Sequence, residues 1–589
     1  MIRSCSPFNR IKISNLVICS ASEKESILKE ARRLCVSYCI FGSEVPELFG
    51  RDPNPKTDPL TPYLLLDPSD EKAVCFDFLT DVVSRFDEDD TAKTMLMKAI
   101  AGLSYRLSQM TMNDPYKPYI DAMKTLTMFN PVVIAISEHN LFNVKGLDGN
   151  VIEKATLLGP LFKISPLQPE VTKVYFASPK TMDKRQITSS QDALRLTLQT
   201  HQRDLLEITN RFIKADATSR NRTLDWFANI VNTNHKRRAI QVDPKLVASD
   251  GFMVNVTVVL DGLCEPFMDS TFSKVSRIEV DYLRRNPRVD IKDETKLNAD
   301  QNASDAFYAK KVDGTSNFIS EIFFLTLAAH HYGTEGANAR LKTLDKDIKH
   351  ISSRIAEMEA ERIKFINQPQ HMARFEAHLK PYVELLNKSM SLRYAIEGVL
   401  CDKLMQTKSL LFMRYVTVWL LRVASQSDYA PDRPIKLPLP DDQPAPFVNL
   451  PEYVLEDILT NFTFISKWIP DIMLSAVSDE LIALCITFLT NSNYVKNPYL
   501  KAKLVSLLFH GSWPVYHRKK GILGDALSGS KFANDHLLHA LMKFYIEVES
   551  TGTHTQFYDK FNIRYEIFQV IKVIWDNDIY KQRLQQESR

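Results

Sequence analysis

Only 17 glycines occur in 589 residues. The apolar residues recur at intervals of three and four rather than two, which confines most of the chain to helices. The pattern is plainest in "RLKTLDKDIKHISSRIAEMEAERI" (340–363), where Leu341, Leu344, Ile348, Ile351, Ile355 and Met358 run along one face. This predicts a long helix with a single apolar stripe. "NQPQ" at 367–370 interrupts it, and periodicity resumes from about Phe375 to Leu386 and through "SLRYAIEGVLCDKLMQTKSLLFMRYVTVWLLRVAS". A stripe this short must bury against neighbours, so antiparallel helical hairpins, protruding or stacked, are expected. The fold class is therefore all-α.

The strongest boundary is "YAPDRPIKLPLPDDQPAPFVNLPEY" (429–453), whose seven prolines cannot continue a helix and favour extended backbone. It predicts four parts: an N-terminal helical part over 1–215, a central part with a long hairpin over 216–428, the linker itself, and a C-terminal helical part over 454–589. "FGRDPNPKTDPLTPYLLLDPSD" from 49 and "VDYLRRNPRVDIKDETKLNADQNASDAF" (280–307) read as long surface loops. After the linker, Ser478, Asn497 with Pro498, and Asn534 each stand where a helix needs its first amides capped. Successive helices of this length with short connections resemble an elongated α-solenoid whose repeats are too degenerate to share a fixed period.

Charge is nearly balanced, 74 basic against 71 acidic residues, so no global field points to nucleic acid or a membrane surface. Eight scattered cysteines do not make the dense framework of a secreted domain. The N-terminal "MIRSCSPFNRIKISNLVICS" is too polar for a signal peptide. Even "SLLFMRYVTVWLLRVAS" is broken by Arg414 and Arg422, short of a membrane span. A soluble protein of the cytoplasm and nucleus is the expectation.

Candidate chemistry is sparse. "GILGDALSGSK" (521–531) has two early glycines but transposes the Ser530 and Lys531 that a phosphate loop needs, between helical flanks. Cys35 and Cys39 share a helix face without a second ligand pair, which favours burial over zinc. His536 and His539, with His510 and His517 upstream, lack a cysteine or carboxylate at ligand spacing. His330 and His331 in "LTLAAHHYG" diverge by about 100° on a helix, so both cannot face one substrate; one is expected in the core and the other at a surface or helix end. The basic clusters "HKRR" (235–238) and "HRKK" (517–520) are not interleaved with aromatic platforms and read as solvated loops. No catalytic, cofactor-binding or metal residue is assigned.

Six segments, in order, resemble one family. They are "LGPLFKISPLQPEV" (158–171), "ASDGFMVNVTVVLDGLCEPFMD" (248–269), "FFLTLAAHHYG" (323–333), "LPEYVLEDI" (450–458), "NYVKNPYLKAKLVSLLF" (493–509) and "MKFYIEVESTGTHTQFYDKFNIRYEI" (542–567). Together they are similar to the core of the ubiquitin chain-elongation ligases, the fourth-class ubiquitin factors typified by the fungal ubiquitin-fusion-degradation factor. The resemblance implies an armadillo-like helical core that helps extend ubiquitin chains on substrates already carrying ubiquitin, on the way to the proteasome. It implies ubiquitin, ubiquitinated substrates, an AAA-type segregase and proteasome shuttle proteins as partners. In this family a C-terminal U-box binds the ubiquitin-conjugating enzyme, whose own cysteine reacts, so an absence of catalytic residues in the core is expected. No U-box is found in these 589 residues, and the expectation is a core without its active end. The alternative is a non-catalytic armadillo-like adaptor.

Overall fold

The computed structural model describes residues 20–50, 52, 58–239, 241–365, 368–474, 479–550 and 557–587. Among these the secondary structure is helical, with isolated bridges and no strand. The N-terminal 19 residues and the expected cap Ser478 lie outside the described residues, as does part of the proline-rich stretch after Gly50. The chain divides into two compact units, one of Met1–Val259 with Leu344–Ile396 and the other of Leu260–Thr343 with Glu397–Arg589.

The first unit is built on the two long helices Lys184–Ala215 and Ala217–Thr233. Asp183 opens the former with a reciprocal capping box to Gln186, and Asp216 caps the latter through the Ser219 amide. Residue 215 thus marks a turn between two packed helices inside this unit. Phe162 meets Trp226, Phe227 and Phe252 edge-on, at 5.2, 6.1 and 6.3 Å between ring centres, a geometry aromatic quadrupoles favour. The predicted hairpin forms from helices Glu335–Glu361 and Pro369–Leu400. Arg393 reaches Asp345 and Arg362 reaches Glu376, at 2.7 and 2.8 Å, which fixes their antiparallel register. Leu344, Ile355 and Met358 are buried as the stripe requires. The second arm is one continuous helix that accommodates Pro381 in its interior.

In the second unit the helices after Asp402 alternate between two rows. Lys403–Ser425, Asp479–Thr490 and Lys531–Ser550 pack in succession, and so do Tyr453–Trp468, Pro498–Gly511 and Phe557–Ile574. Each helix of one row also touches its sequence neighbour in the other, the arrangement of a stacked helical repeat.

The stretch 429–453 lies inside this unit. Its prolines enforce extended backbone, but the residues between them are apolar enough to bury: Tyr429, Ile435, Leu439, Phe447 and Leu450 are core. The Asn491 side chain accepts the Leu439 amide at 2.9 Å, and Tyr494 donates to the Pro440 carbonyl at 2.6 Å. The polar stretch 280–307 is likewise no simple surface loop. Tyr282, Leu283, Val289, Ile291 and Leu297 are buried, and the Leu297 amide donates to the Leu450 carbonyl at 2.8 Å. Polar residues conceal apolar anchors in both stretches.

Candidate functional site

The densest chemistry is a buried network around the segment resembling "FFLTLAAHHYG". The helix Phe318–Ala329 is capped by Asn317 and runs into a π-helical turn, His330–Thr334. A π-turn adds a residue to the helical repeat and re-aims the side chains that follow it. Both histidines are buried, which corrects the expectation that one would reach a surface or a helix end. Their divergence holds: His330 Nε2 meets Asp261 Oδ1 at 2.7 Å, whereas His331 Nδ1 meets both Asp457 oxygens at 3.0 and 3.1 Å. Each ring also stacks on an aromatic neighbour, His330 on Phe412 and His331 on Tyr453. Tyr332 donates to Glu294 at 2.5 Å, and burial pushes its phenol far above the ordinary range.

These groups have the residue types of acid–base catalysis without its access. His330 and Asp457 have no exposed surface, and Asp261 is 1% exposed. The network joins helices Asp250–Cys264, Tyr453–Trp468 and Lys403–Ser425, which is cohesion rather than turnover.

A second buried cluster holds "LGPLFKISPLQPEV" against "ASDGFMVNVTVVLDGLCEPFMD" in the first unit. Asn255 donates to the Phe162 and Ile164 carbonyls, both at 2.9 Å, and accepts from Gln202 at 3.0 Å. His201 hydrogen-bonds the Leu161 carbonyl at 2.9 Å. Burial lowers its pKa to about 4, so the ring is neutral. A Cβ on Gly251 would stand 2.3 Å from Ser165 Oγ, so only glycine permits this approach.

The remaining candidates resolve into ordinary structure. Cys35 and Cys39 are half-buried rather than core, because Val36 and Ile40 take the inward positions of the helix Ala21–Glu44. In "HKRR", Arg237 is paired with Asp250 and donates to the Ala248 carbonyl, so that arginine is structural rather than solvated. In "HRKK", Arg518 and Lys520 face Asp525 and Asp576 at 3.5 Å each. The phosphate-loop look-alike is a turn at Gly521 followed by the short helix Gly524–Gly529. Among the described residues no three His, Cys, Asp or Glu side chains group as a metal site, and no helix is long and apolar enough to cross a membrane.

The exposed features are shallow. One open cleft of about 490 Å³ in the second unit is lined by Asp471, Leu474, Val515, Tyr516, His517 and Arg518, with Lys403 at 2.8 Å from Asp471. Another, about 620 Å³ in the first unit, is lined by Lys184, Arg185, Thr188, Ser189 and Asp192. The helix Phe557–Ile574 leaves Phe561, Tyr565 and Phe568 exposed along one face, and Phe509 meets both Trp513 and Tyr565 alongside. Contiguous exposed aromatics of this kind mark contact surfaces. Spacing along a helix could have located them in the sequence, but not the exposure that distinguishes them from core.

Buried ionisable networks and stacked helical rows define an all-helical repeat protein. Residues 158–589 match the family model for the ubiquitin elongating factor core, and the chain belongs to that family. It is 36% identical over 571 residues to the ubiquitin conjugation factor E4 of Schizosaccharomyces pombe, covering 96% of this chain and 54% of that protein. It is 29% identical over 529 residues to the E4 ubiquitin-protein ligase UFD2 of Saccharomyces cerevisiae, covering 85% and 54%. It is 26% identical over 626 residues to a probable ubiquitin conjugation factor E4 of Arabidopsis thaliana, covering 94% and 58%. The chain spans about half the length of these relatives.

Proposed function

We propose that this chain is the scaffold core of a ubiquitin chain-elongation factor, acting on substrates that already carry ubiquitin. The observation that carries the reading is the match to the ubiquitin elongating factor core over 158–589, which includes all six segments singled out in the sequence. A stack of helices suits catalysis by proximity: it brings the ubiquitinated substrate close to a charged conjugating enzyme and replaces a bimolecular encounter by a local one. The transfer cysteine then belongs to the conjugating enzyme. A U-box provides the platform for that enzyme, while this core faces ubiquitin, the substrate, an AAA-type segregase and proteasome shuttle proteins, in the cytoplasm and nucleus.

The test is a reconstitution with a substrate carrying one or two ubiquitins. The chain should retain that substrate in preference to the unmodified form, and chains should lengthen when a U-box fused to it and a charged conjugating enzyme are supplied. Retention without elongation under those conditions would replace the ligase reading by a non-catalytic adaptor. Elongation by the chain and conjugating enzyme alone would overturn the assignment of a scaffold role.

A further inference from the structure

The helix Ala21–Glu44 of the first unit has two apolar faces where one suffices. Val36 and Ile40 point inward and are buried. On the other side Ile27, Ala31, Leu34, Tyr38 and Phe41 follow one another at steps of four, three, four and three. At about 100° per residue these five fall within about 80° of one another, centred about 180° from Val36. The four large side chains among them are each 41–52% exposed. An apolar row on the solvent side of a helix that already has its core contacts marks a contact surface.

Spacing and size together select what covers it. The alternation of four and three is the repeat of a seam between two helices, so the occupant is another helix. Along the seam the small Ala31 lies toward one end, and the bulky Tyr38 and Phe41 lie toward the other. Two parallel copies would set like against like, leaving a gap between the Ala31 residues and crowding Phe41 against Phe41. Two antiparallel copies, with a positions facing d positions, set Ala31 against Phe41 and Leu34 against Tyr38, each twice about a two-fold axis. Ile27 then meets Val45, the C-cap residue whose amide still donates to the Phe41 carbonyl. Small against large at each level packs without voids, and a stripe that fits its own copy is what an isologous two-fold contact requires.

We propose that this stripe is a self-association surface, covered by the same helix of a second copy of the chain in antiparallel pairing. The charges on one flank do not oppose the approach: Glu30 is paired with Arg33 at 2.7 Å and Glu44 with Lys98 at 2.6 Å, so they are neutralised within each copy. The other flank carries the half-buried Cys35. In the antiparallel pair Cys35 meets its own counterpart beside the axis, whereas a parallel pair would place the two on opposite sides of the seam. From Ile27 to Phe41 the stripe runs for about 21 Å. So short a seam belongs with the small, reversible interfaces, and association at micromolar concentration is expected.

Sedimentation equilibrium on the whole chain should give a mass that rises with micromolar concentration toward twice that of one chain. Leu34→Glu and Tyr38→Glu, both at surface positions, should remain monomeric over the same range with the helix content of the wild type. A short bismaleimide should link the wild type into a dimer, a product that Cys35→Ser loses and Cys39→Ser keeps. Should a glutamate variant lose helix content, the Cys35 product decides. A wild type that stays monomeric, or a dimer that survives both glutamate substitutions, would overturn the self-association surface. A dimer that both substitutions abolish but that does not link through Cys35 would overturn the antiparallel pairing.

Discussion

Leu504 has no exposed surface, while the adjacent Lys503 keeps 42% of its side chain exposed and reaches Glu456 at 2.6 Å. The sequence places both on the helix Pro498–Gly511 and assigns Leu504 to its inner face, but it assigns Lys501 and Lys503 to solvent. Lys503 does reach solvent while pairing with Glu456, whereas Lys501 is mostly covered and pairs with Glu547 at 3.7 Å. Replacing Leu504 by Asp buries an unpaired carboxylate, and a loss above about 4 kcal/mol is expected. Lys503→Ala removes a half-exposed pair worth about 0–1 kcal/mol. Circular dichroism melts should show the Leu504 variant unfolded or deeply destabilised and the Lys503 variant almost unmoved; an intact Leu504→Asp melt would contradict the packing. Gly511, read from the sequence as the helix stop, is the last residue of the helix, and its missing Cβ leaves room for Leu523, whose Cδ1 would otherwise stand 2.3 Å away.

At the scale of elements, helix type and periodicity were legible because burial imposes a spacing that a reader can count. The long hairpin, the all-α class and the Asn497 cap, which accepts from the Tyr499 amide at 3.0 Å, all rest on such local rules. Asn534 misled for a local reason as well. It sits in the first turn of Lys531–Ser550 and donates to the Ser528 carbonyl, whereas Ser530, one turn earlier, caps the Ala533 amide.

What was not legible depends on distant partners. Nothing near His331 announces Asp457, 126 residues away, and nothing in 429–453 announces that Phe447 stacks on Phe488. Asn255 belongs to this class. In sequence it is one polar residue in an apolar helix, and in the fold it ties two carbonyls of a segment about 90 residues earlier. Asn255→Leu should leave the Phe162 and Ile164 carbonyls buried without donors, at about 1–3 kcal/mol each. Hydrogen exchange should then show segment 158–171 losing protection before helices Lys184–Ala215 and Ala217–Thr233. Equal protection in variant and wild type would show that Asn255 does not clamp this segment.

At the scale of the whole molecule, each unit carries a buried histidine, and the two respond to protons with opposite sign. His201 in the first unit is neutral: burial, its largest influence, lowers its pKa from 6.5 to about 4, and its Nδ1 meets no hydrogen-bond partner among the described residues. A depressed histidine pKa means that the unfolded chain takes up the proton first. Stability is therefore full above about 6.5 and falls by about 1.4 kcal/mol per pH unit as acid carries the solution toward 4. His330 in the second unit is raised, so its contribution is full in that same acidic range and is lost on the alkaline side. Acid should therefore soften the first unit through His201, and base the second through His330. Hydrogen exchange on the whole chain, corrected for intrinsic rates, should show protection of helices Lys184–Ala215 and Ala217–Thr233 falling between pH 6.5 and 4.5. Protection of Phe318–Ala329 and Tyr453–Trp468 should fall instead as the pH rises above 6.5. His201→Gln keeps an amide donor for the Leu161 carbonyl and removes the titrating ring, so it should abolish the acid response of the first unit and leave the alkaline response of the second. An acid response that survives in His201→Gln would assign the sensitivity to the carboxylates of that unit, Asp204 between Lys117 and Lys124 foremost among them, since their partners hold its pKa low despite burial.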